Sequence, residues 1–153
     1  MDRQAILDTV IARLHAQGAP GRQANGIFYH TADGRKTALG CLIPDALYND
    51  ALEDREPHEL PPYIYDHIGA EDDADIAFLV DLEGTHNRAA AATTGDVAAF
   101  WPAWLAEIRP FAATQGLSLA RAQALGAPTP PEKPEFDPLT VAWLARTALK
   151  PSR

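Results

Sequence analysis

The stretch from Ile27 to Asp45, Ile-Phe-Tyr-His-Thr-Ala-Asp-Gly-Arg-Lys-Thr-Ala-Leu-Gly-Cys-Leu-Ile-Pro-Asp, restricts the fold more than any other. Asp33-Gly34 at its centre is a strong hairpin signal, because the tightest two-residue turns need positive φ at both central positions. Pro44 suits the first turn of a helix, where its missing N–H costs nothing, and Asp45 complements the helix dipole. The reading is a β-hairpin over about 27–41 that runs straight into a short helix at 44–51. With a two-residue loop, His30 faces Thr37 and Phe28 faces Leu39. Alternation then puts Phe28, His30, Thr37, Leu39 and Cys41 on one core-facing side.

The rest of the chain reads as helix or loop. Ile6, Leu7, Val10, Ile11 and Leu14 form one stripe of a helix over 2–17, stopped by Gly18-Ala19-Pro20-Gly21. His15 falls just past that stripe, as a last-turn residue favoured by the helix dipole. Three prolines make 54–62 a loop, with one or two turns at 62–67 ended by Gly69. Asp72 or Asp73 caps a helix over 74–88 with Ile76, Leu79, Val80 and Leu82 on its apolar side. A second strong helix spans 96–115, carries Phe100, Trp101, Trp104, Leu105, Ile108 and Phe111, and stops at Gly116. Pro102 should kink it or mark where its regular part begins. Ser118 caps one more helix to Leu125.

These elements predict a mostly helical α+β domain over 1–117, packed around one hairpin, with a helical extension over 118–153. The extension holds a proline-rich spacer at 126–134 and a terminal helix at 137–150. That helix bears Leu139, Trp143 and Leu144, too apolar to stand free. It is expected to dock on its own domain, on a second copy or on a partner. A chain of 153 residues is long enough to bury roughly two-thirds of its unfolded surface.

Charge narrows the function. The net charge is −8. Residues 1–48 carry a net +1 and residues 88–153 a net +2, whereas 49–87 hold twelve acids against Arg55 alone. A surface built from Asp50, Glu53, Asp54, Glu56, Glu59, Asp66, Glu71, Asp72, Asp73 and Asp75 repels nucleic acid and anionic membrane, and attracts basic proteins or cations. No apolar run approaches the roughly 18–20 residues needed to span a membrane, and the N-terminus lacks a signal peptide's apolar core. A cytoplasmic protein is the expectation, with no membrane and no direct nucleic-acid contact. The aromatics of the second strong helix lack the interleaved basic residues of a base-stacking platform.

Catalytic signatures are sparse. Cys41 sits just before the predicted helix start, where a thiol pKa falls, and His30 on the same strand face could serve as its base. A buried, inert cysteine is the ordinary alternative. One cysteine excludes an intramolecular disulfide and a cysteine zinc site. His58, His67 and His86 with nearby carboxylates show no HExxH spacing, and Asp72-Asp73-Ala74-Asp75 lacks the glycine and final glutamate of an EF-hand loop. No metal or cofactor is expected. His86 follows Leu82 by four residues and Leu79 by seven, so it points to the core as a structural histidine.

Two stretches carry a family resemblance. Thr37-Ala38-Leu39-Gly40-Cys41-Leu42-Ile43-Pro44-Asp45 resembles the Cys-Ala-Ile-Gly-x-Leu-Ile-Pro-Asp signature of a family of small, largely uncharacterised bacterial and phage proteins. Phe78 to Asn87 is similar to their downstream Leu-x-x-Leu-Gln-x-x-His-Asp, which precedes a tryptophan-bearing helix, here Trp101 or Trp104. The resemblance covers about residues 5–116 and departs at Thr37 (Cys in the family), Glu83 (Gln) and Asn87 (Asp). It implies a fold rather than an activity. Together with the charge, its phage association gives the functional expectation. This is a small acidic, non-catalytic binding protein, in its sharpest form an inhibitor of a basic, nucleic-acid-binding host protein. An enzyme using Cys41 and His30 or a His/carboxylate site, and a homo-oligomer joined through terminal helices, are the alternatives.

Overall fold

The computed structural model describes residues 1–131, so the terminal helix expected at 137–150, with Leu139, Trp143 and Leu144, lies outside the described residues. Helix α1 spans Arg3–Gln17, and its N-cap Asp2 accepts from the Ala5 amide at 3.0 Å. A small antiparallel hairpin follows, β1 (Arg22–Gln23) and β2 (Gly26–Ile27), with Arg22 opposite Ile27. Short 3₁₀ turns occupy Gly40–Leu42, Asp50–Asp54 and Pro57–Glu59. Four helices complete the described chain: α2 (Pro62–Ile68), α3 (Asp73–Ala92), α4 (Val97–Gln115) and α5 (Ala120–Leu125). The fold is α+β and mostly helical, as the sequence predicts.

The core joins three helix faces. Leu7, Val10, Ile11 and Leu14 come from α1, Phe78, Leu79 and Leu82 from α3, and Phe100, Trp101, Trp104 and Ile108 from α4. Burying each such side chain contributes about 1.5–3 kcal/mol. The packing of α3 on α4 is the most extensive, and Trp104 Nε1 donates to Thr85 Oγ1 at 3.0 Å inside it. That bond satisfies the one polar atom of the indole, so the whole ring can be buried. Helix α4 runs through both Pro102 and Pro110. Helix α5 lies on α1, and Gln4 clamps the backbone of Ser118 through both its amide atoms.

The reversal over 27–41 departs from the expected ladder. It is held by one bridge, His30 with Lys36, and the ladder itself forms earlier, at Arg22–Ile27. A two-residue Asp-Gly turn would need positive φ at Asp33 as well as Gly34, and among the described residues only glycines have it. Thr31 opens the loop instead. Its hydroxyl accepts from the Arg35 amide at 2.9 Å and donates to Asp33, while its own amide donates to the Arg35 carbonyl. The pairing thereby slips by one residue, His30 to Lys36 rather than Thr37. Phe28, His30, Thr37, Leu39 and Cys41 are all buried as expected, but Tyr29, Thr31 and Ala38 between them are buried too. The segment is covered on both sides, not one.

Two glycines permit that burial. A Cβ at Gly40 would fall on the Tyr29 carbonyl, and a Cβ at Gly21 on the Lys36–Thr37 peptide. Backbone meets backbone at both places, and only glycine leaves the room. The helix expected at 44–51 is absent. Residues 45–47 form a turn, and Asn49 then accepts from the Ala51 amide at 3.0 Å, starting the 3₁₀ turn at Asp50–Asp54. An asparagine that caps its own local turn competes with a helix passing through it.

Candidate functional site

The acidic run is built from short pieces because its prolines forbid a long one. Pro57, Pro61 and Pro62 break the chain between Asp50 and α2 into turns whose carboxylates splay outward. Eight of the ten nominated acids are exposed: Asp50, Asp54, Glu56, Glu59, Asp66, Glu71, Asp72 and Asp73. Asp72 also caps α3, accepting from the Asp75 amide at 2.9 Å. Arg55 is the one cationic Lys or Arg among them, and its guanidinium reaches only to the Glu59 carbonyl, at 3.4 Å.

The other two nominated acids turn inward. Glu53 Oε1 accepts from the Tyr29 amide at 2.8 Å, and Oε2 accepts from the His30 amide and the Tyr48 hydroxyl at 3.2 and 2.7 Å. It ties the 3₁₀ turn to the buried reversal. Asp75 is buried, accepting from the Glu71 amide at 3.0 Å and from Arg3 at 3.2 Å. The Glu71 amide, then Arg3, hold its carboxyl below the usual range. Neither residue belongs to an open acidic surface, because each is already committed to protein donors.

A third inward carboxylate was not among the nominated residues. Glu83 on α3 is 1 % exposed, and its oxygens accept from the Thr37 hydroxyl at 2.8 Å and the Leu39 amide at 3.1 Å. Thr37 Oγ1 in turn accepts from the Gly40 amide at 3.0 Å. One carboxylate therefore organises the tight turn that leads into Cys41. Burial, reinforced by the charge of Glu53, pushes its pKa up from 4.5 to about 7. A cleft of about 190 Å³ opens beside it, lined by Tyr29, Thr37, Glu53, Glu56, Glu83 and Asn87 among others. Burial, then the charges of Glu83, Glu56 and Glu53, push the Tyr29 phenol upward. Thr37, Glu83 and Asn87, the three positions that depart from the resembled pattern, thus face one cleft. The sequence did carry a signal for Glu83: it stands four residues after Leu79 and three before His86, on the apolar side of α3.

His86, His30 and the thiol are engaged structurally, whereas His58 and His67 are exposed. His86 is fully buried, its Nε2 accepts from the Gly21 amide at 3.0 Å, and Nδ1 lies 2.9 Å from Asn87 Oδ1. An Nε2 that accepts a bond puts the proton on Nδ1. Burial lowers its pKa to about 4, so it is neutral near pH 7. His30 stacks on Tyr48 with ring centroids 4.2 Å apart. Its Nε2 lies 2.9 Å from the Gly40 carbonyl and its Nδ1 3.6 Å from Asp45. Both ring nitrogens are occupied away from the thiol. Cys41 is 2 % exposed, and burial with the charge of Glu83 pushes its pKa up from 9.0 to about 12. A protonated, covered thiol is a poor nucleophile. His15 packs edge-on against Trp101, with its Nε2 buried and unpartnered. Among the described residues no three His, Cys, Asp or Glu side chains converge to hold a metal, and no helix is long and apolar enough to cross a membrane.

No family model, no curated protein and no solved structure matches the chain.

Proposed function

We propose that the protein is a small, acidic, non-catalytic binding protein whose partner is basic. The observation that carries this is the run from Asp50 to Asp73, where eight exposed carboxylates stand with a single guanidinium. Charges of one sign at this density set up a potential that steers an oppositely charged partner and repels polyanions. The partner class that fits is a protein with a cationic groove, such as one that binds nucleic acid. The sharpest form of the reading is an inhibitor that fills that groove with carboxylates. Glu53 and Asp75 do not take part in contact. They hold the turns that carry the outward acids, so they are positioning residues.

The test is capture of host proteins on the immobilised full chain at low and at high salt. A nucleic-acid-binding protein retained at low salt and released at high salt is the expected result, because exposed charges are screened beyond about 10 Å at 0.1 M ionic strength. A partner held equally at both salts would contradict the electrostatic reading.

A further inference from the structure

Ile6, Thr9 and Arg13 recur along α1 at three- and four-residue spacing, so they share one edge of the helix beside its buried stripe. That edge forms a wall of a second cleft, of about 390 Å³, whose other sides include Leu42, Pro44, Lys36 and Ile68. Its volume lies within the roughly 300–1,000 Å³ that accommodates a small ligand.

The charge inside it runs against the trend of the whole molecule. Lys36 is matched by Asp45, with Nζ and Oδ1 3.0 Å apart. Arg13 is not matched: among the described residues no carboxylate lies within ion-pair distance of its guanidinium. One Arg13 N–H donates to the Cys41 carbonyl, and no other hydrogen bond of its exposed guanidinium is found among the described residues. On the far side of Arg13 a shallower groove adds Arg121, and the carboxylate there, Asp8, accepts from Gln4 at 2.9 Å. A chain of net charge −8 therefore presents an unpaired guanidinium beside apolar side chains.

We propose that this cleft binds a small amphipathic carboxylate. The head group would take the forked donors of Arg13, a geometry that guanidinium matches and ammonium does not. The apolar chain would lie on Ile6, Leu42 and Ile68. The site is separate from the acidic run, so its failure would leave the proposed partner surface untouched.

The probe is octanoate, titrated into the full-length chain labelled with nitrogen-15. Saturable amide shifts at Thr9, Cys41, Leu42 and Ile68 are expected, with none from octylammonium or inorganic phosphate at equal concentration. Arg13→Gln should weaken octanoate by about tenfold, worth about 1.4 kcal/mol, and Arg13→Lys by less. Equal shifts from octylammonium would overturn the charge assignment, and equal shifts from phosphate the apolar one. No shift with octanoate, or a folded Arg13→Gln that binds as well as the parent, would overturn the site itself. The three-probe comparison on the unmodified chain stands even where a variant fails to fold.

Discussion

At Asp73 the carboxylate stands in water on the first turn of α3; ten residues on, at Glu83, the same helix carries a carboxylate that is 1 % exposed. Both count equally toward the net charge of 49–87, and they do opposite things. Asp73 and its exposed neighbours leave their field in the solvent. Glu83 is held among backbone and hydroxyl donors, and burial makes its ionisation expensive. The difference separates surface charge available to a partner from internal charge that sets the shape of a turn. Composition cannot make that distinction; the position of a residue on its helix can.

The inner region should break most easily by steric means. Gly40→Ala would drive a methyl group into the Tyr29 carbonyl, which is backbone and has little room to move. The expected cost is about 3 kcal/mol or more, measured by urea unfolding. A cost under about 1 kcal/mol would mean that the reversal is looser than described.

Electrostatics gives the next largest effect. The Glu83 pKa is raised on folding, so its contribution is most favourable below 4.5 and is lost as pH rises through about 7. Glu83→Gln keeps an acceptor for the Leu39 amide, reverses the Thr37 contact so that the side-chain amide donates to Oγ1, and removes the charge. It should be more stable than the parent by roughly 3 kcal/mol above pH 7, and the gap should close on acidification towards 4.5. A pH-independent gap would show that the carboxyl is already neutral or already paired. His86 works in the opposite sense. Its folded pKa is lowered, so its contribution is present above 6.5 and is lost as pH falls through about 4. In the parent the two groups partly offset each other between pH 4 and 7. The Glu83→Gln variant should expose the His86 loss as steeper acid unfolding.

The outer region should respond least. Neutralising Asp54, Glu56, Glu59, Asp66 and Asp73 to their amides should change stability by no more than about 2.5 kcal/mol in total, since exposed positions each contribute within about 0.5 kcal/mol of zero. A large loss would mean that these carboxylates serve the fold rather than a partner.

Much of this architecture is legible in the sequence because helices announce themselves. The 2–17, 74–88 and 96–115 patterns lie on α1, α3 and α4, with Asp2, Asp72 and Asp96 as their N-caps. Gly18 and Gly116 close α1 and α4 in the left-handed conformation, as their positions suggest. The reversal at 27–41 is misread for a local reason: Thr31 captures the loop through its hydroxyl, and side-chain bonds of that kind leave no periodic trace. Pro44 likewise suggests a helix that the Asn49 cap pre-empts. Eight of the ten nominated acids face water, whereas the inward turn of Glu53 depends on partners twenty-three and twenty-four residues away. Such long-range donors cannot be read from spacing. Glu83 could have been read, because a carboxylate between Leu79 and His86 on an apolar face must find partners inside.

The central claim is that the outward acids act on a partner while the inward ones hold the fold. Its most direct test runs the five-amide surface variant and Glu83→Gln beside the parent in the same low-salt capture of host proteins. The account predicts that the parent and Glu83→Gln retain the same basic, nucleic-acid-binding protein and that the surface variant, still folded, loses it. Equal retention by the surface variant, or selective loss with Glu83→Gln, would contradict it.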